Sequence, residues 1–426
     1  MTYLLPKLLT KLKSVRAITI FPAFIKETYL NMSQKTNLVR PVIAQIIPAL
    51  HNGGVERGTV ETAQAISDIG WRPIVISSGG MLESQLKRVG AKHINLPVNQ
   101  KNPVSWMLTK PRLRKILLGE NVDIVHVRSR APAWISLPVA KSLSIPTVAT
   151  IHGKFEATNL FKRAYNKQML YADEIIAISE YTKSVIEYQF PKLVESLSLN
   201  VIHRGVDLSI FDPKNVTQQR IINEAERIGL PDDLPVVMLP ARPTSWKGHS
   251  MLLHAISKLE HLDVAIVLLG AGDANTRFVE ILEKKSVELG LGANVRIARS
   301  TRDMPAALML ADVVVMPSVY PEPFGRIAIE AQAMGRPVVA FEHGGAKETI
   351  LNEKTGWLAK PNDVDSLARS LEKALGISGS ERDNLSKLAQ SNVKRRFSIK
   401  KMTKSTLDIY RELLLEKGFS PLVLGK

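Results

Sequence analysis

The sequence predicts an α/β protein built on two parallel sheets, each covered by helices on both faces. Three observations predict it. From Val42 onward, short apolar β-type runs alternate with amphipathic helical stretches. A second alternation of the same kind starts near Pro235. A chain of 426 residues, 45% of them hydrophobic, can also build two or three cores.

In chain order, the first alternation places strands at Val42–Ile47, Pro73–Ser77, Ile124–Val127, Thr147–Ile151, Glu174–Ile178 and Val201–His203. Helices fall between them, for example Val55–Asp68 and Ala131–Leu143. The second alternation opens with a strand at Pro235–Pro240 and continues through LLGAGD at 268–273. Val313–Met316 is too short an apolar run for anything but a buried strand. Pro317, Pro321 and Pro323 then turn the chain, and Phe324–Met334 shows helical spacing. Gly335 stops that helix, Pro337 prevents its continuation, and Val338–Phe341 is the next strand. The tail reads as helices at Ser366–Leu375, Asn384–Phe397 and Thr403–Glu416, with Asp363 as a cap.

In such sheets, ligands sit at the carboxyl ends of strands. The stretch from Ala311 to Leu358 is the most informative. A strand, a tight loop and a helix N-terminus make an anion site, because the first N–H groups of a helix lack internal partners. Two carboxylates, Glu322 and Glu330, bracket that point. An anionic ligand between two acids makes sense when the acids bind hydroxyls, as with a sugar and a ribose on either side of a diphosphate. Arg242 and Lys247 lie ahead of another helix and can swing toward one point. Fixed cations there would stabilise a departing diphosphate.

These residues carry a resemblance. Glu322 and Glu330 within PEPFGRIAIEAQAMGRPVVA resemble the signature of the retaining nucleotide-sugar glycosyltransferases of family 4, which have the GT-B fold. The resemblance covers roughly Val42 to Glu416 and implies two Rossmann-like domains facing a cleft, with the last helix crossing back to the first domain. It implies that Glu322 contacts the donor sugar and Glu330 the ribose. The amides around Phe324, Gly325 and Arg326 would hold the diphosphate, and Arg242 and Lys247 match the family's Arg-x4-Lys pair. In the first half, Gly53, Gly54 and Glu56 match a Gly-Gly-x-Glu stretch facing the diphosphate. His152 matches a strand-end His near the sugar. Arg128 stands where the family usually has a second His, and either Arg128 or Arg130 meets an anionic acceptor or is a plain surface Arg. Gly205-Val206-Asp207 match the inter-domain junction, whereas His203 and Arg204 depart from the commoner Pro-Asn. The implied domains are a basic arm (1–40), an acceptor domain (41–205), a donor domain (206–398) and a returning helix (399–426).

The net charge of +17 favours acidic partners. Residues 1–40 hold seven Lys or Arg and one acid, so most of the excess lies elsewhere. That arm reads either as an amphipathic membrane-surface segment or as a disordered extension, and it has no signal-peptide cleavage pattern. Basic residues interleave with aromatics at 105–118 and again at 161–167, which suits an anionic membrane surface or an ordinary solvated helix. No recognisable nucleic-acid module is present. Cysteine is absent, and no apolar run approaches the roughly 18–20 residues of a membrane span.

The function expected is retaining hexosyl transfer, with mannose the favoured sugar, from a nucleotide diphosphate sugar to a lipid-linked or phosphorylated saccharide. The general look of the first half is similar to bacterial lipopolysaccharide core enzymes. No metal or other cofactor is expected, and the site is expected in the cytoplasm or at the inner membrane face. The alternatives are a GT-B sugar-nucleotide epimerase and a non-catalytic basic membrane-binding protein.

Overall fold

The computed structural model describes residues 40–424 apart from 52, 156–158, 232, 260–262 and 273–275. The basic arm therefore lies, up to residue 39, outside the described residues.

The first sheet contains β1 (Val42–Ile46), β2 (Arg72–Ser77), β3 (Lys92–Asn95), β4 (Ile124–Val127), β5 (Thr147–Ile151), β6 (Glu174–Ala177) and β7 (Ser198–Val201). Their order is β3-β2-β1-β4-β5-β6-β7, and every pairing is parallel. The second sheet contains β8 (Val236–Pro240), β9 (Ala265–Ala271), β10 (Val295–Arg299), β11 (Val313–Met316), β12 (Val338–Phe341) and β13 (Gly356–Ala359). It runs β10-β9-β8-β11-β12-β13, again all parallel. Strand order reverses between β1 and β4 in one sheet and between β8 and β11 in the other. Those two reversals are where a doubly wound sheet opens a crevice for ligands.

Helices cover both faces, so alternate strand residues enter different cores. Met238, Val267 and Val314 pack on one side of the second sheet, and Val237, Ile266 and Val313 on the other. Ile43, Ile124 and Val148 of the first sheet face the terminal helix Ile399–Glu416, through Met402, Leu407 and Tyr410. Tyr410 is fully buried, and its hydroxyl bonds His126 Nδ1 at 2.5 Å. The chain thus crosses from the second sheet back to the first. The two crossing segments lie side by side, with Val206 N–H donating to Phe397 O at 2.8 Å and Ile399 N–H to Val206 O at 3.1 Å. A Cβ on Gly205 would collide with the Ile399 backbone, which explains a glycine at this junction.

Several expected boundaries shift. The strand expected at Val201–His203 is Ser198–Val201, and β3 was not expected at all. Both are edge strands with polar, half-exposed residues, so neither carries an apolar run. The helix expected from Phe324 begins at Arg326, because Gly325 takes φ +82° and caps it. The two tail helices start earlier than expected, at Gly379 and Ile399, each set by a serine cap at Ser378 and Ser398.

Candidate active site

A cavity of about 550 Å³ opens at the β8/β11 reversal of the second sheet. Arg242, Trp246 and Lys247 line it from the loop after β8, Ser318 and Glu322 from the loop after β11, and Arg326 from the helix Arg326–Ala333. Four of the residues expected to act together, Arg242, Lys247, Glu322 and Arg326, therefore share one hollow.

Lys247 Nζ donates to Glu322 Oε1 at 2.6 Å, and Ser318 Oγ donates to the same oxygen at 2.5 Å. Lys247 Nζ also lies 4.2 Å from the Trp246 ring centroid, where the ring face attracts the cation. Both side chains of the Lys247–Glu322 pair are largely withdrawn from water, which strengthens their attraction. Such a cation is already placed for a second anion, because an ammonium has three donors.

Backbone packing fixes this geometry. Gly248 has φ +77°, and a Cβ there would land on the Pro317 carbonyl. This close approach presses the Lys247 loop onto the loop that carries Ser318. Val319 N–H donates to Trp246 O at 2.8 Å across the same seam. The Gly344–Gly345 turn packs on the Glu322–Phe324 backbone, and Gly345 N–H donates to Glu322 O at 2.9 Å.

Around the helix N-terminus the outcome is mixed. Gly325 caps the helix without any side-chain cap. Among the described residues, the N–H groups of Phe324, Gly325 and Arg326 have no acceptor, as an anion cradle requires. The Phe324 side chain is core, packed on Phe397 and His203 at ring distances of 5.8 and 5.9 Å. Glu330 does not line the hollow. It is 8% exposed, and its Oε1 accepts from Arg326 Nε at 2.8 Å. Burial pushes its carboxyl up, while the Arg326 guanidinium opposes that shift.

A second cavity, of about 320 Å³, lies at the β1/β4 reversal of the first sheet. His51, Glu56, Arg130 and His152 line it. Gly53 and Gly54 flank it at the start of the helix Gly54–Asp68, with Gly53 as its cap. Burial, aided by Arg128 and Arg204, pushes the His152 imidazole well below its usual range, so it is neutral at pH 7. Its Nε2 is buried with no hydrogen-bond partner among the described residues.

Arg128 is not a surface Arg, although it does line this cavity beside Arg130. It is 4% exposed, and its Nη1 donates to Gln45 Oε1 at 2.7 Å and to Thr62 Oγ1 at 3.3 Å. It braces β4 against β1 and the following helix. Arg130 is the more accessible of the two, and its Nη2 donates to Lys154 O at 2.7 Å.

Other contacts join the two halves. Lys154 Nζ sits 4.5 Å from the Tyr320 ring and 5.7 Å from Trp246. Glu348 accepts from His203 Nε2 at 2.9 Å and from the N–H groups of Glu180 and Tyr181 at 2.8 Å each. Sequence reasoning missed Lys154, Trp246 and Glu348, because each acts through a partner far away in the chain.

Known proteins resemble this chain along both halves. The family described as Glycosyltransferase Family 4 matches residues 52–210, and Glycosyl transferases group 1 matches residues 221–392. A crystal structure of a glycosyltransferase from Rickettsia africae is 34% identical, with a TM-score of 0.81, covering 88% of this chain and 99% of that one. A Mycolicibacterium smegmatis GDP-mannose-dependent alpha-(1-6)-phosphatidylinositol monomannoside mannosyltransferase is 29% identical over 289 residues, 64% of this chain and 73% of that protein. Anabaena HepE, solved with UDP and glucose, shares the fold at 20% identity and a TM-score of 0.76, covering 88% of this chain and 100% of that one. With two parallel sheets, a hollow at each reversal and these matches along both halves, the chain belongs to the family 4 glycosyltransferases of the GT-B fold.

Proposed function

We propose that this glycosyltransferase moves a hexosyl group, mannose being the favoured candidate, from a nucleotide diphosphate sugar to a lipid-linked or phosphorylated saccharide in lipopolysaccharide or cell-envelope glycan synthesis. The convergence of Arg242, Lys247, Glu322 and Arg326 on one hollow carries this reading. The mannosyltransferase relative supports the choice of sugar and a lipid-borne acceptor, and the UDP bound to HepE supports a nucleotide donor.

In this reading residues 41–205 receive the acceptor, residues 206–398 hold the donor, and residues 399–426 return to the first unit. Arg242 and Lys247 neutralise the charge that develops on the departing diphosphate, without a metal or other cofactor. The free amides of Phe324, Gly325 and Arg326 grip the same group. Glu322 binds sugar hydroxyls, and Glu330, held by Arg326 just behind the hollow, takes the ribose once the donor has entered. Transfer proceeds on one face with retention, and a diphosphate oxygen takes the acceptor proton as the new glycosidic bond forms. Neutral His152 braces the sugar from the opposite side, and closure of the two halves limits hydrolysis.

The acceptor side faces an anionic membrane surface on the cytoplasmic side. Trp106, Trp134 and Tyr165 stack at 5.0 and 6.2 Å and join the helices Pro103–Gly119 and Leu160–Lys167. Met107, Leu108, Leu160 and Phe161 are exposed on these helices, which carry seven Lys or Arg and no acid. Apolar side chains set among cations suit a lipid surface. Among the described residues, no helix is long and apolar enough to cross a membrane.

A panel of nucleotide sugars tested for thermal stabilisation checks the donor. A true donor at about 100 times its Kd adds roughly 2.7 kcal/mol to stability, a rise of several degrees in Tm. Flat melting curves with every UDP-, GDP- and ADP-sugar would refute the reading.

A further inference from the structure

Glu61 lies in the first half of the chain, on the helix Gly54–Asp68, yet its carboxylate meets the second half. Arg326 Nη2 approaches Glu61 Oε1 at 3.5 Å, while Arg326 Nε holds Glu330 at 2.8 Å. On its other side, Glu61 Oε2 lies 3.8 Å from Arg204 Nη2. That same nitrogen donates to the Gly54 carbonyl at 2.6 Å. A continuous run of charged contacts therefore leads from Glu330, through Arg326, Glu61 and Arg204, to the Gly53–Gly54 loop.

The sequence makes room for this run. Gly58 stands inside the helix, where glycine is a poor choice, and a Cβ there would fall within the Arg204 guanidinium. The Arg204 and Glu61 side chains are only 7% and 15% exposed, so water screens them weakly. Two atoms in the run remain without a hydrogen-bond partner among the described residues: Glu61 Oε2 and Arg326 Nη1. A buried guanidinium arm without an acceptor is costly to maintain. Arg326 also lines the donor hollow, so an acceptor-only oxygen, such as that of a phosphoryl group, would satisfy it.

We propose that Glu61 is a positioning residue for the donor. It steadies Arg326 from across the cleft, so that one arm keeps Glu330 in place while the free arm meets the diphosphate. Through Arg204 it ties that arrangement to the Gly53–Gly54 loop. This inference rests on the nucleotide-sugar reading above, and it adds a residue that acts through others without touching the reacting atoms.

The test is steady-state kinetics of the full chain with GDP-mannose, or with whichever UDP-, GDP- or ADP-sugar raises its Tm, comparing wild type, Glu61→Gln, Glu61→Asp, Arg326→Ala and the double variant Glu61→Gln/Arg326→Ala. Loss of one charge-assisted contact predicts a rise in donor KM of about tenfold in Glu61→Gln, with kcat and acceptor KM much less affected. Glu61→Asp, which keeps the charge, recovers part of that loss. In the Arg326→Ala background, Glu61→Gln adds nothing, because its effect runs through Arg326. A purely structural role would instead lower Tm and the active fraction, leave donor KM unchanged, and add to Arg326→Ala. Either of the last two results overturns the inference while the donor reading stands. A wild-type protein that neither binds nor consumes any nucleotide sugar overturns both. Should Glu61→Gln fail to fold, Glu61→Asp and Arg204→Lys, which keep the charges but displace them, read a smaller rise in donor KM, and an unchanged donor KM in both overturns the inference.

Discussion

Glu322→Gln is expected to lower kcat/KM for glycosyl transfer by roughly 10²–10³-fold while leaving the protein folded. The substitution keeps the size and shape of the side chain, removes its charge and turns one acceptor oxygen into an NH2 donor. Two things depend on that charge. One carboxylate oxygen holds Lys247 at 2.6 Å and Ser318 at 2.5 Å, so the amide loosens the cation that faces the diphosphate. The carboxylate is also the group proposed to bind the sugar hydroxyls. Each charge-assisted bond is worth about 1.5–3 kcal/mol, and losing one directly and weakening another accounts for the stated range. Donor consumption in the presence of acceptor, with a melting curve as the folding control, provides the measurement. Activity within a few-fold of wild type would remove Glu322 from the site.

Gly248→Ala is expected to destabilise the fold by about 2–5 kcal/mol and to lose most activity. The backbone contributes first, since φ +77° costs a residue with a Cβ about 1–2 kcal/mol. The added methyl would also land on the Pro317 carbonyl, and such overpacking costs a further ~1–3 kcal/mol. Relief requires the Lys247 loop and the Ser318 loop to part, which separates Lys247 from Glu322. The urea midpoint and the residual rate report the two effects independently. A variant as stable as wild type would show that the seam between these loops is soft. The Lys247–Glu322 contact would then not be rigidly held.

Much of this fold was legible because parallel strands buried on both faces must be continuous apolar runs. Val313–Met316 and Val338–Phe341 could be nothing else, and the structure places both in the middle of a sheet. The edge strands Lys92–Asn95 and Ser198–Val201 lack that requirement and were missed or misplaced. The meeting of Arg242 and Lys247 with Glu322 was legible because each lies just past a strand end, where a doubly wound sheet directs its loops. The surface alternative for Arg128 failed for a related reason. Its position after β4 suggested a loop, whereas Gln45 of β1 and Thr62 of the next helix draw it inside. The link between Glu61 and Arg326 spans 265 residues, and nothing local to either reveals it. Gly58 was the available clue, since a glycine within an otherwise good helix signals a close neighbour.

A fixed-charge cradle at the β8/β11 reversal is what would hold the donor's diphosphate. The most direct measurement is calorimetric titration of UDP and GDP into wild type and Lys247→Ala, which needs neither acceptor nor turnover. The account predicts that wild type binds one nucleoside diphosphate per chain and that Lys247→Ala weakens this roughly 10- to 100-fold, the value of a charged contact withdrawn from water. Equal affinity in the two proteins, or no binding of either nucleotide by wild type, would contradict it.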